Sequence, residues 1–269
     1  MRSRPVPVLV SSRSVFSDIT AGANHACGLT TAGAAHCWGK NVFGELGDGT
    51  NNNSNVPVSV SGGITFNEIS AGGVSTELFI GEGFTCGREG FSAHCWGLNL
   101  FGQLGNGTNT NSNVPVSVGQ FTFFGISASA FHGCQHTPAV VHCWGANGAG
   151  QLGDGTNTDS NVLVEVDDFG LDPEISAGGD HSCALGSGGA AFCWGDNPVG
   201  EPGNGTNADS NVPVAVLGGL AFDQNSTGGD HTCGLTTDGI AHCWGHNSLG
   251  QLGDGTLNDS NVPVAVDFP

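Results

Sequence analysis

Residues 243–256 read Cys-Trp-Gly-His-Asn-Ser-Leu-Gly-Gln-Leu-Gly-Asp-Gly-Thr. The same frame returns along the whole chain. Cys-Trp-Gly is centred on Trp38, Trp96, Trp144, Trp194 and Trp244, which are all the tryptophans present, at spacings of 58, 48, 50 and 50 residues. Before each comes an Ile-Ser-Ala-Gly-like opening (Ile69 to Gly72, Ile175 to Gly178) and a first cysteine. After each comes a Gly-rich turn and a Val-Pro-Val strand (Val212 to Val214, Val262 to Val264). Self-similarity at a fixed period marks an architecture in which each unit buries its face on the next. Short strands between Gly-rich turns suit a blade or a sandwich, and the fixed period selects radial repetition. The expected fold is therefore all-β, a β-propeller of five tandem repeats near 15–60, 61–118, 119–166, 167–216 and 217–267. These form a single propeller domain over 15–269, preceded by an N-terminal strand or arm over 1–14. An indole N–H needs a partner when buried, so each Trp is placed between blades.

Composition agrees with this reading. Among 269 residues there are 47 Gly and 11 Pro, with few helix formers. No apolar run approaches the ~18 residues of a membrane span. Met1 to Ser14 has arginines but no uninterrupted apolar core of a secretory leader. Either such a leader has been removed, or the chain is a portion of something longer. Twenty-four acids face five bases, and three of the bases (Arg2, Arg4, Arg13) precede the first acid, Asp18. A body this acidic repels phosphate backbones, which argues against a nucleic-acid partner.

The combination of His181 to Leu185 (His-Ser-Cys-Ala-Leu), Cys-Trp-Gly, and Gly-Gln-Leu-Gly-Asp-Gly-Thr resembles the regulator of chromosome condensation repeat family over residues 15 to 269. The resemblance implies blades of four antiparallel strands in a ring, seven in the best-known members, against five complete units here. Eukaryotic members act as nucleotide-exchange factors or chromatin binders, roles that the acidic body and lack of basic tails do not suit. Secreted bacterial members, including a propeller that inhibits β-lactamases, look closer in style.

Ten cysteines fall into five local pairs: Cys27 with Cys37, Cys86 with Cys95, Cys134 with Cys143, Cys183 with Cys193, and Cys233 with Cys243. Thr31-Ala32-Gly33, Ser187-Gly188-Gly189 and Thr237-Asp238-Gly239 each put Gly third in a three-residue loop, where a left-handed residue is needed. That loop sets residues ten apart face to face; in the second unit Gly90-Phe91 serves as a two-residue turn for a spacing of nine. Cross-strand neighbours lie within disulfide reach. The rival is zinc, because His25, His132, His181 and His231 precede the first cysteine by two, and His36, His94, His142 and His242 adjoin the second. Adjacent strand residues point to opposite faces, and Phe84 and Phe192 replace two of the histidines. Disulfides are the adopted reading, with no metal site and the histidines as hydrogen-bonding members of the blade core. Five disulfides place the protein outside the cell or on its surface.

Asx ladders follow each Leu-Gly-like turn, for example Asp154, Asn157, Asp159 and Asn161. They cap tight turns, with calcium as the alternative use of their oxygens. No other cofactor is expected. Sequons at Asn52, Asn106, Asn204, Asn225 and Asn258 are read as coincidence in a chain rich in Asn, Ser and Thr.

Function is sought where the repeats disagree. The second unit inserts nine residues around Gly73 to Gly83, including Leu78, Phe79 and Ile80. Phe124 and Phe131 stand where other units have polar or small residues, which suggests a contact patch. An insertion folded back over its own blade is the competing reading. Val6, Val8 and Val10 form a sixth copy of the closing strand, which completes the ring or pairs with a neighbouring subunit. No catalytic constellation stands out from the repeat pattern. The expectation is a non-enzymatic scaffold that binds another protein or copies of itself. Alternatives are a carbohydrate-binding propeller, or an inhibitor of a secreted enzyme by family analogy.

Overall fold

The computed structural model describes residues 15–75, 80–119, 122–166 and 174–267. It shows five four-stranded antiparallel sheets in chain order, the blades of a propeller. Blade one comprises Phe16–Ala21, His25–Thr30, Ala35–Gly39 and Ser54–Ser59. Blade two comprises Glu68–Ala71, Phe84–Glu89, Ser92–Gly97 and Ser112–Ser117. Blade three comprises Gly125–Ala128, His132–His136, Val141–Gly145 and Ser160–Glu165. Blade four comprises Glu174–Ala177, His181–Leu185, Ala191–Gly195 and Ser210–Ala215. Blade five comprises Phe222–Thr227, His231–Thr236, Ala241–Gly245 and Ser260–Ala265. The second-unit insertion makes a small hairpin of its own, Val74–Ser75 with Ile80–Glu82. Among the described residues no helix is long and apolar enough to cross a membrane.

The cysteines sit directly opposite one another on the second and third strands of every blade. All ten are disulfide-bonded, with Cα atoms 4.0–4.1 Å apart. A closed loop of this size stabilises by about 2.7 kcal/mol in the chain-entropy account. The disulfide also gives each sheet a flat apolar face, and the next blade packs on it. Cys134, Val141, Cys143 and Leu152 of blade three meet Ile175, Ala177 and Trp194 of blade four in one buried cluster. The other seams repeat this pattern.

In blades one, three, four and five the register between the third and fourth strands slips just at the tryptophan. In blades two to five the indole lies buried and donates Nε1–H to a backbone carbonyl of the preceding blade. The pairs are Trp96 to Glu45 (2.9 Å), Trp144 to Gln103 (2.8 Å), Trp194 to Gln151 (2.9 Å) and Trp244 to Glu201 (2.8 Å). The turn receiving Trp194 needs Gly153, which has φ +72° and would meet indole Nε1 at 2.6 Å with any Cβ.

Three further sets of bonds cross the seams. The Oγ atoms of Thr20, Ser70, Ser127 and Ser176 accept from the backbone N–H of Ala71, Ala128, Ala177 and Thr227 on the next blade, at 3.0–3.1 Å. On the outer strands Asn113, Asn161, Asn211 and Asn261 donate Nδ2–H to Oδ1 of Asn51, Asn109, Asn157 and Asn207, at 2.8–3.0 Å. The third set uses His25, His132 and His181, which are buried hydrogen-bonding members of the blade core, whereas His36, His94, His231 and His242 are half-buried. His25 contacts Thr85 Oγ1 at 2.8 Å, His132 contacts Ser182 Oγ at 2.8 Å, and His181 contacts Thr232 Oγ1 at 2.9 Å. Each hydroxyl donates onward to the carbonyl of Glu45, Gln151 or Glu201. The hydroxyl proton is thus spent, and the imidazole Nε2 must be the donor. Burial holds the pKa of His25 and His181 down at about 4 and that of His132 at about 3.

Candidate functional site

Strands alternate in direction, so the turns after the first strand and the long loops before the fourth emerge at one end of the ring. The second-unit hairpin emerges there too. The long loops are built by a buried Asn. Asn147 Oδ1 accepts from Leu152 N–H, and its Nδ2–H donates to Asp154 Oδ1 and to the carbonyls of Thr156 and Thr158. Asp154 Oδ1 also accepts from Thr156 N–H and Oγ1, which are loop-capping bonds of the kind the Asx ladders suggest. Among the described residues no group of three His, Cys, Asp or Glu is placed to hold a metal ion.

Blade four departs from this frame. Pro202 stands where Leu46, Leu104, Leu152 and Leu252 donate a backbone N–H, and Asn197 Oδ1 is left buried without a partner.

The loop-bearing end is chemically divided. Over blades one to three, Leu98, Ala130, Phe131 and Ala146 form a buried cluster with Phe43 and Phe101 packed against it. Phe101 and Phe131 meet edge to face with centroids 5.4 Å apart. Beside them runs a groove with Phe43, Leu98 and Leu100, the last 59% exposed, on one side and Asn109, Thr110 and Asn111 also lining it.

Over blades four and five the same positions carry acids. Phe131 is replaced by Asp180 and Asp230, and Leu98 and Ala146 by Asp196 in blade four, with His246 at that position in blade five. Burial and then the carboxylates of Asp209, Asp180 and Asp230 push Asp196 up to about 6. Glu201 takes the place of Gln151, whose Nε2–H donates to Asp180 at 3.1 Å. Burial pushes Glu201 up to about 7, against backbone N–H bonds that pull it down, with Asp196 and Asp230 adding repulsion.

The sequence-derived contact residues separate. Phe131 is only 8% exposed, because the blade-two loop carrying Phe101 closes over it, so it supports the patch rather than presenting it. Phe124 lies at the opposite end of blade three, 40% exposed and 5.2 Å from the Phe91 ring of the blade-two hairpin. One patch therefore does not contain both. Ile80 opens the second strand of the inserted hairpin. Val6, Val8, Val10, Leu78 and Phe79 lie outside the described residues. Leu100, Phe43 and the acids of blades four and five were not picked out from the sequence, although reading each loop position across all five repeats would have found them.

Comparison with known proteins follows the same frame. Models of the Regulator of chromosome condensation (RCC1) repeat match residues 16–45, 174–201 and 226–251, and residues 32–76 and 92–140, together more than half of the chain. The chain belongs to the RCC1-repeat family. The Ultraviolet-B receptor UVR8 of Arabidopsis thaliana is 31% identical over 116 residues, which are 42% of this chain and 24% of the receptor. Among solved structures, human WBSCR16 superposes with a TM-score of 0.80 at 20% identity, covering 93% of this chain and 67% of that one. Prp20p of Saccharomyces cerevisiae superposes with a TM-score of 0.79 at 20% identity, covering 94% and 63%. Its structure was described together with its binding properties to Gsp1p and histones. At these identities the two superpositions show the RCC1-repeat fold.

Proposed function

We propose that this RCC1-repeat protein is a non-catalytic scaffold, secreted or displayed at the cell surface, that binds a protein partner through its loop-bearing end. The observation that carries the reading is the division of that end. A groove beside Phe43, Leu98 and Leu100 lies over blades one and two, and a sector of Asp180, Asp196 and Asp230 over blades four and five, with blade three between them. A partner with apolar side chains flanked by Lys or Arg complements both halves, and the net charge of −19 favours its approach. The five disulfides favour an oxidising compartment. Protein binding by Prp20p supports the interaction role by relationship. No cofactor enters this reading.

The test is affinity capture from the extracellular fraction of the source cells with wild-type protein and with Leu100→Ser and Asp180→Asn/Asp230→Asn variants. A partner held by wild type and lost from both variants supports the assignment. A partner held equally by all three overturns it. Light scattering on the purified protein reports whether a copy of the same chain is that partner. A glycan array with and without calcium reports a carbohydrate ligand instead.

A further inference from the structure

Each blade offers its disulfide face to the tryptophan face of the next. Among the described residues, blade five has no such neighbour on its disulfide face. Leu235 is 37% exposed, whereas Leu29 and Leu185 at the same position are 3% and 5% exposed. An apolar groove of about 200 Å³ runs along this face past Ser226, Cys233, Leu235 and Ala241. At the other end of the array the tryptophan face of blade one has no neighbouring blade among the described residues. Ile19 is 60% exposed, against 4–9% for Ile69, Ile126 and Ile175. No hydrogen bond joins blade five to blade one among the described residues.

The two bare faces are of complementary type, yet their polar groups do not match. At three of the four seams that form, a histidine two residues before the first cysteine meets a hydroxyl directly before the next blade's first cysteine: His25 with Thr85, His132 with Ser182, His181 with Thr232. The exception keeps the rule, because blade two has Phe84 in place of His and blade three answers with Gly133, where any Cβ would meet Trp144 at 2.7 Å. Blade five carries His231, which calls for a hydroxyl, but blade one has Ala26. The asparagine belt fails in the same way. Leu257 replaces the acceptor Asn51, Asn109, Asn157 or Asn207, so Asn55 of blade one would face a leucine. Closing five on one would bury the His231 Nε2–H without an acceptor, which is the expensive arrangement, and would forgo the belt bond at the surface.

We propose that the bare face of blade five binds a further blade of this repeat type from outside residues 15–267, one with Ser or Thr directly before its first cysteine, and not blade one of this chain or of a second copy. The arriving hydroxyl accepts from His231 Nε2–H and donates to the carbonyl of Gln251. The arriving tryptophan donates its Nε1–H to that same carbonyl, as Ser182 and Trp194 together do at Gln151. The first strand of the incoming blade donates a backbone N–H to Ser226 Oγ. This surface is separate from the loop-bearing end and does not depend on the function proposed for it.

The test extends the full chain after Val266 with a second copy of residues 217–267, which supplies Thr before its first cysteine, and compares the same extension with that Thr changed to Ala. Hydrogen exchange at the backbone amides of His231–Thr236 in the original blade five is the readout. The Thr extension is expected to slow exchange at least about tenfold relative to the unextended chain, and the Ala extension markedly less. Equal protection by both, or protection by neither, overturns the proposal. The unextended chain supplies a second measurement across a hundredfold concentration range. Constant exchange at His231–Thr236 is expected, and protection that grows with concentration there and at Phe16–Ala21 overturns the exclusion of a second copy.

Discussion

The indole Nε1 of Trp144 donates to the backbone carbonyl of Gln103 at 2.8 Å, across the seam between blades two and three. The same bond ties every later tryptophan to the blade before it, whereas Trp38 is half-buried and has no such acceptor among the described residues. Trp144→Phe keeps most of the packing but leaves the Gln103 carbonyl buried without its donor. The expected loss is about 1–3 kcal/mol. Trp38→Phe is expected to cost less than about 0.5 kcal/mol, as for a partly exposed site. Denaturant unfolding of the two variants, followed by tryptophan fluorescence, checks the contrast.

Pro202 leaves Asn197 Oδ1 buried without a donor, and the other four blades show the remedy, a Leu whose N–H reaches the equivalent Oδ1 at 2.9 Å. Pro202→Leu is therefore expected to stabilise by about 1 kcal/mol through the restored bond. The greater freedom of the unfolded chain offsets part of that gain, by about 0.4–1 kcal/mol. A raised thermal midpoint bears this out, and a midpoint below wild type contradicts it.

Much of this frame was legible in the sequence because repetition makes each position its own control. Five copies of Cys-Trp-Gly fixed the blade number, and the loop lengths placed Cys27 opposite Cys37 and Cys86 opposite Cys95. The seam bonds were less legible. They join residues about 30–60 positions apart, such as His25 and Thr85, whose pairing depends on how one sheet lies on the next. The candidate site was hidden for a related reason. Phe131 looks like an exposed anomaly along the chain, and only the loop carrying Phe101, from the neighbouring blade, makes it core. Leu100 and Asp196 look ordinary until the loops are ranged around one end of the ring.

Glu201 contributes one pH dependence to the seam between blades four and five. Its carboxyl is pushed up from 4.5 to about 7 in the folded protein, so between those values the folded state holds a proton that the unfolded state releases. The contribution from protonated Glu201 is full below pH ~4.5 and is lost as pH rises to about 7. Glu201→Gln removes the titration and restores the amide found at Gln103, Gln151 and Gln251, able to donate to Asp230 as Gln151 does to Asp180. At pH 8 the variant is expected to exceed wild type by on the order of 2 kcal/mol, with the gain shrinking toward pH 4. Urea midpoints at pH 4.5, 6 and 8 test the slope. A gain independent of pH would assign the effect to packing instead.

The seam histidines contribute to the acid dependence of stability with the reversed sign. His132 titrates at about 3 when folded and at 6.5 when unfolded, so across that window the unfolded state binds a proton that the folded state refuses. The stability associated with neutral His132 is full above pH 6.5 and declines as pH falls toward 3, by at most about 1.4 kcal/mol per pH unit. His25 and His181, held at about 4 by burial, add to the same limb. Removing His132 alone would leave the Ser182 hydroxyl without its donor, so the informative variant is a pair. Blades two and three already contain it as Phe84 opposite Gly133. His132→Phe/Ser182→Gly is expected to fold, to lose some stability at pH 8 through the missing hydrogen bonds, and to show a shallower decline between pH 6.5 and 4 than wild type. Thermal midpoints over that range decide the matter. Parallel curves for variant and wild type would mean that His132 takes up its proton in the folded state over the same range as in the unfolded chain, and that the acid limb belongs to other groups.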